Sequence, residues 1–306
     1  REDGGIDGIT AHTACTDRLS PSTTTYSLRE LLQSDAGARL LRICYNKRME
    51  KPFLSIIIPA YNEAARLPRT LLDIDKRLEH KKYSYEILVL NAGSRDATAD
   101  IVRKMAKTVK HLNLVDNIEN QGKGGVVRQG MLLAQGKYRL FTDADNSTSV
   151  DQFDQMIPFF KEGYQVVIGS RTAKGSVLEP AQPWYRQLFG KASNLIIQAV
   201  NVPGVWDTQC GFKAVTEEAA EAIFNKTRIT GWGFDIELLA LARILGYRVK
   251  EVPVHWVNDA ASRVNISAYL KVFVENIRIR WWILTGGYGK YEGIKENVPQ
   301  NTNLPT

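Results

Sequence analysis

Two aspartates in "LFTDADNST", Asp143 and Asp145, stand two residues apart at the end of an apolar stretch that reads as a strand. Residues i and i+2 of an extended chain share a face, so both carboxylates lean the same way. Close carboxylates repel unless a cation lies between them. A hard oxygen pair of this kind suits Mg²⁺ or Mn²⁺, with substrate phosphates completing the coordination. The plainer alternative is a solvated acidic turn that caps the next helix through Ser147 or Ser149.

Other stretches carry complementary chemistry. "NIENQGKGGVVRQG" sets Lys123 among Gly122, Gly124 and Gly125 at the opening of a helix, which suits a phosphate at a helix N-terminus. It lacks the spacing and the closing Lys-Ser/Thr of a P-loop. "EILVLNAGSRDAT" puts Asn91, Ala92, Gly93 and Ser94 where a buried strand ends, the place at which α/β proteins bind ligands. An acid there would serve ribose hydroxyls or base N–H groups, and position 92 is alanine. "PGVWDTQCGFKAV" reads as a polar loop between helices and carries Asp207. Asp235 and Glu237 in "TGWGFDIELLALA" fall in the first turn of an apolar helix, where acids favour the helix dipole. Ser262 and Arg263 in "HWVNDAASRVN" suit a phosphate clamp. Cys210 reads as a buried small hydrophobe and His255 as a structural strand residue. No histidine-based constellation is legible.

The elements that must position these residues alternate along the chain. "FLSIIIPAYNE" is a continuous apolar run, as expected of a strand buried on both faces. Helix "AARLPRTLLDIDKRLEH", strand "YEILVL", helix "ATADIVRKMAKTV", strand "LNLVDN", helix "GKGGVVRQGMLLAQ" and strand "YRLFTDAD" follow. This order predicts a parallel sheet with crossover helices. Helix "VDQFDQMIPFFKEG", strand "QVVIGS", helices "QLFGKASNLIIQAV", "TEEAAEAIFNK" and "FDIELLALARILG", and strand "RVKEVPVHWV" complete the domain. "ISAYLKVFVENIRIRWWIL" predicts a long amphipathic helix. The domain is expected over residues 49–265, the helix with its flank over 266–290, and a frayed tail over 291–306.

Residues 1–48 stand apart. The first 25 show no periodicity and read as disordered. The next stretch pairs helically spaced leucines with a basic cluster. It suits either an amphipathic arm on an anionic membrane or sequence upstream of a natural start at Met49. The chain of 306 residues is 44% hydrophobic and carries a net charge of +7, enough for a full core and suited to anionic partners. Its basic residues do not cluster on one helix or interleave with aromatics, which argues against a nucleic-acid-binding module. Three cysteines far apart in sequence indicate neither a disulfide framework nor a zinc site and fit a reducing compartment. No run of eighteen apolar residues occurs, so any membrane contact is expected to be peripheral.

Taken in order, "SIIIPAYNEAARLP", "NAGSRDAT", "NQGKGG", "FTDADNST", "VIGSR", "DTQCGFK", "FDIELL" and "VNDAASRV" resemble the family 2 inverting glycosyltransferases of the GT-A fold. The likeness is to the branch that glycosylates dolichyl or polyprenyl phosphate, its glucosyltransferases above all. The resemblance implies an α/β fold with a mostly parallel Rossmann-like sheet flanked by helices. It implies that Pro59, Tyr61 and Glu63 border the base and ribose of a nucleotide-sugar donor, with Asn91, Gly93 and Ser94 beside them. Asp143 and Asp145 would hold the metal and Lys123 would lie near the nucleotide end. Arg171 and Arg186 would receive the acceptor phosphate, Asp207 would be an active-site acid, and Arg263 would guard the donor phosphates.

The mechanism implied is inversion at C1, with the leaving diphosphate neutralised by the metal and Arg263. A lipid phosphate is already anionic and needs little general-base help, whereas a sugar hydroxyl would need a carboxylate, for which Asp207 or Asp235 could serve. The chain departs from the family pattern in two ways. Ala92 replaces an acid expected to face the nucleotide, which leaves open a weakened sugar-nucleotide-binding protein. No transmembrane anchor is visible either, so the expected place is the cytoplasmic side of a membrane, held peripherally.

Overall fold

The structure is a computed structural model that describes residues 51–179, 184–257 and 266–289; of residues 184–189, 191, 192 and 266–269 it describes the backbone alone. The expectations for residues 1–48, Arg263 and residues 291–306 lie outside these residues.

The first apolar run forms β1 (Leu54–Ala60), buried at every position. Its β-branched isoleucines pack on both faces of the pleat, as a central parallel strand requires. Helix α1 (Leu67–Leu78) begins with a proline in its first turn and buries Leu67, Leu71, Ile74 and Leu78, a stripe at helical spacing. The chain then alternates through β2 (Tyr85–Ala92), α2 (Thr98–Met105), β3 (Leu112–Asn117), α3 (Gly122–Leu133) and β4 (Tyr138–Thr142). Strands β3, β2, β1 and β4 lie side by side and all run parallel. The carboxyl ends of these four strands therefore open on one edge, where the chemistry-bearing loops gather.

The second half departs from simple alternation. The stretch expected as one helix after β4 splits into a 3-10 turn, Val150–Gln155, and a short α4 (Ile157–Lys161) that carries Pro158 in its first turn. Strand β5 (Val166–Ser170) and the short β6 (Val177–Glu179) lead to α5 (Trp184–Val200). The segment read as a loop between helices instead contains β7 (Phe212–Thr216), followed by α6 (Glu217–Phe224) and α7 (Phe234–Ile244). β7 runs antiparallel between β4 and β5. The difference has a physical source: a five-residue strand with Lys213 at its second position and Thr216 at its end shows no continuous apolar run, yet Lys213 is wholly buried.

The last strand expected is two. β8 (Val249–Pro253) joins the main sheet beside β5, and β9 (His255–Val257) pairs instead with β6. The main sheet thus has seven strands in the order β3-β2-β1-β4-β7-β5-β8. Helix α8 (Ile266–Leu284) forms where a long helix is predicted. It buries Val272, Asn276 and Ile279 but turns Leu270, Phe273, Val274, Ile277, Trp281 and Leu284 outward. Among the described residues no helix is long and apolar enough to cross a membrane.

Candidate active site

Asp143 leaves the carboxyl end of β4 directly beside the incoming end of β7, and its backbone N–H donates to the Gly211 carbonyl at 3.3 Å. A Cβ at position 211 would come within 1.9 Å of an Asp143 carboxylate oxygen, so this approach requires glycine. Asp145 is fixed by accepting the Ser147 N–H at 3.0 Å. Burial, reinforced by the neighbouring Asp143 carboxylate, pushes the Asp145 carboxyl above the usual carboxylate range. Two carboxylates crowd one corner, and a divalent ion would relieve them. Among the described residues no group of three or more His, Cys, Asp or Glu side chains surrounds such a site. The pair therefore fits Mg²⁺ or Mn²⁺ completed by ligand phosphates and water rather than a metal caged by protein alone.

Lys123 reaches into the same corner. Its ammonium is 2.6 Å from an Asp143 oxygen. It lies 4.6 Å from the centre of the Trp232 ring, 5.3 Å from Phe141 and 5.9 Å from Phe234. Burial alone would lower its pKa, but Asp143 and Asp235 outweigh that and hold the ammonium above its ordinary range.

The glycines around Lys123 do not form the open phosphate cradle that the sequence suggests. Gly124 and Gly125 donate their N–H groups to the Thr230 carbonyl at 2.9 and 3.4 Å. A Cβ on Gly122 would meet that carbonyl at 2.3 Å, and one on Gly124 would meet the Ile229 carbonyl at 2.6 Å. They let α3 press against the loop before α7. What that first turn offers a ligand is the Lys123 ammonium.

At the ends of β5 and β7 the residues expected as phosphate receiver and acid lock together. The Arg171 Nε and Nη2 donate to the two Asp207 oxygens at 2.8 Å each, and the Arg171 backbone N–H donates to Asp207 at 2.8 Å. Asp207 is buried; burial would raise its pKa, but the Arg171 guanidinium and these donors hold it below the usual range. The Glu251 carboxylate on β8 accepts the N–H groups of Trp206 and Asp207 at 2.9 Å, fixing the loop that presents Asp207. The Trp256 ring lies 5.6 Å from the Arg171 guanidinium. Arg186 falls in the part of α5 described by its backbone alone, so its side chain is outside the described residues.

Beneath this edge sits a charge pair that sequence reasoning missed. Lys213 lies 2.7 Å from an Asp235 oxygen. Its ammonium also donates to the Cys210 carbonyl. Burial pushes the Asp235 carboxyl up, against the pull of Lys213 and Lys123. Glu237 is wholly buried rather than a first-turn surface charge. It accepts the Ile229 N–H at 2.9 Å and the Tyr288 hydroxyl at 2.7 Å. Cys210 is buried as expected, its thiol pushed up to about 12 by that burial. The sequence carries no clear signal of the Lys213–Asp235 pair: it follows only once residues 212–216 form a buried strand, since a buried lysine needs a partner.

On the other side of Asp143 the loops after β1 and β2 are stitched together. Asn62 donates its backbone N–H to Ser94 Oγ at 2.9 Å, and Glu63 donates its own to Thr98 Oγ at 2.8 Å. Asn91 accepts the Ser94 N–H at 3.1 Å and donates to Asp116 at 2.6 Å. The Glu63 carboxylate is held by Arg66 at 2.7 Å. Pro59 is buried in β1, Tyr61 is 36% exposed, and Gly93 takes a φ of +69° as it turns out of β2. Ala92 is only 3% exposed and packs in the same apolar cluster as Leu90, Val126 and Val127. Its methyl faces the core.

The sequence model of glycosyl transferase family 2 matches residues 55–224. The chain is 36% identical over 247 residues to a dolichyl-phosphate beta-glucosyltransferase of Dictyostelium discoideum, covering 76% of each chain. It is 34% identical to the protein of that name from Drosophila melanogaster, covering 69% of each. Its fold matches the glucosyl-3-phosphoglycerate synthase of Mycobacterium tuberculosis, crystallised with Mn²⁺, UDP-glucose and phosphoglyceric acid. That match has a TM-score of 0.54 at 17% identity and covers 86% of each chain.

Proposed function

The chain belongs to glycosyl transferase family 2, and from that premise we propose that it moves glucose from UDP-glucose onto dolichyl or another polyprenyl phosphate. The observation that carries this reading is the Arg171–Asp207 lock. A hydroxyl acceptor needs a carboxylate free to take its proton. Asp207 instead accepts three N–H bonds and has a lowered pKa, so it is a poor base and a good anchor for a guanidinium. An anchored arginine suits an acceptor that arrives already charged, such as a phosphate monoester.

The remaining residues take roles that follow from their positions. Pro59, Tyr61, Glu63, Asn91, Gly93 and Ser94 border the base and ribose, and Lys123 neutralises charge at the diphosphate end. Arg171, joined by Arg186, orients the acceptor oxygen for in-line attack on C1, and Arg263 guards the donor phosphates. Asp143 and Asp145 would hold Mg²⁺ or Mn²⁺, which when bound stabilises the charge that develops on the leaving diphosphate. The names of the Dictyostelium and Drosophila relatives support the acceptor, and the Mn²⁺ and UDP-glucose of the mycobacterial structure are consistent with the donor and metal.

The outward stripe of α8, from Leu270 to Leu284, supports a peripheral seat on the bilayer that carries the acceptor, with Trp281 at the interface. Three cysteines far apart in sequence fit the cytoplasmic side of that membrane.

The test presents labelled UDP-glucose and GDP-mannose, with Mg²⁺ or Mn²⁺, to polyprenyl phosphate in vesicles, to a glycan acceptor and to water. Label from UDP-glucose enters the organic extract, and Asp145→Ala abolishes that transfer while circular dichroism shows an intact fold. Transfer to the glycan alone, or nucleotide binding without transfer, would overturn the reading. Full activity in Asp145→Ala would refute the metal assignment.

A further inference from the structure

We propose that Glu275 is a positioning residue for the donor end of the site, acting from α8 through Trp232 on Lys123. Its carboxylate fills the space beside a Gly-Trp-Gly turn. The Gly233 N–H donates to Glu275 Oε2 at 2.7 Å. A Cβ on Gly231 would come within 2.0 Å of Glu275 Oε1, and one on Gly233 within 2.8 Å of Oε2. The two glycines therefore admit the carboxylate, and the residue between them is Trp232. Its ring lies 4.6 Å from the Lys123 ammonium, nearer than Phe141 or Phe234. Trp232 is 43% exposed, so packing alone holds it weakly and its backbone tether matters.

The contacts run in one direction across the fold. Glu275 stands on α8, whose opposite face presents the apolar stripe, and the same helix buries Val272, Asn276 and Ile279. The Asn201 amide donates to the Asn276 side chain at 2.7 Å, which fixes how far α8 sits from the body of the domain. From that seat Glu275 holds the turn, the turn holds Trp232, Trp232 faces the Lys123 cation, and Lys123 pairs with Asp143 at 2.6 Å. Displacing α8 outward would withdraw the carboxylate and free the indole. The role at the donor rests on the proposed nucleotide-sugar reading; the tether itself does not.

Two readouts separate these. Without ligand, acrylamide quenching of the Trp232 emission, taken as intact enzyme minus Trp232→Phe, should rise in Glu275→Ala and stay near the parent in Glu275→Gln, whose amide oxygen still accepts from Gly233. With UDP and Mn²⁺, Glu275→Ala should raise the Kd and the donor KM about tenfold with kcat changed far less. Glu275→Gln should recover most of that loss. An unchanged quenching in Glu275→Ala overturns the tether. Altered quenching with unchanged UDP affinity overturns the link to the donor. If Glu275→Ala fails to fold, Glu275→Gln and Trp232→Phe decide alone: equal donor KM in the parent and Trp232→Phe would overturn the proposal. Failure of the intact enzyme to transfer sugar would count against the proposed function and leave the quenching result standing.

Discussion

The two ends of the sheet edge handle charge differently. At the ends of β1, β2 and β3 the loops are held by backbone N–H groups and short side chains, such as Asn62 on Ser94 and Glu63 on Thr98. In the corner at the end of β4, one ammonium, Lys123, faces two carboxylates, Asp143 and Asp145. At the ends of β5 and β7 the charges are matched one to one, Arg171 with Asp207 and Lys213 with Asp235. The first region is left with a negative excess that a cationic ligand would satisfy. In the second, each cation already has its carboxylate before any ligand arrives. Charge left over marks where binding is completed from outside, and charge paired marks where geometry is set in advance.

The largest effect that would break this contrast is on stability. Removing one member of a buried ion pair leaves the other uncompensated. Asp207→Asn should therefore destabilise by about 3 kcal/mol in urea unfolding, whereas Asp143→Asn, which leaves Lys123 beside Asp235 and Asp145, should cost about 1 kcal/mol or less. Equal losses would mean the two regions do not differ in the way described.

The pH dependence sharpens the point. The folded pKa of Asp207 is lowered, so its stabilisation is fully present above the unfolded carboxylate range and is lost as pH falls through the folded value. The stability gap between the parent and Asp207→Asn should be constant above about pH 5 and shrink below about pH 4. A gap that stays constant down to acid unfolding would assign the loss to packing instead.

The smallest effect on the ligand is expected at Ala92. Its methyl packs in the core, so Ala92→Asp would bury a carboxylate without a ready partner. We expect a loss of about 3 kcal/mol or more in stability, with UDP affinity changed less than about threefold. Tighter UDP binding in calorimetry would show that the carboxylate reaches the ligand after all.

The legibility of these regions followed their covalent layout. Asp143 and Asp145 share one strand end, and Asn91 to Ser94 share one loop, so apolar runs and turn residues located them. Arg171 and Asp207 are 36 positions apart, and nothing in either segment announces that they meet. Their contact depends on β7, and β7 is hidden in the sequence because Lys213, its second residue, breaks the apolar signature of a buried strand. The glycines beside Lys123 were legible as special but not as to cause, since a close backbone approach and a phosphate cradle leave the same trace. Glu237 looked like a first-turn charge because position along a helix is visible in sequence and the residues packed against it are not.

The placement of β7 also bears on how the chain reaches its native state. Residues 212–216 run between residues 138–142 and 166–168, so the centre of the sheet closes only after a long loop has been brought back. Contacts of such sequence separation are slow to form. Until they do, β4 and β5 each present an unpaired edge, the kind of surface on which partly folded chains aggregate. A chain stalled short of Phe212 would carry both edges at once.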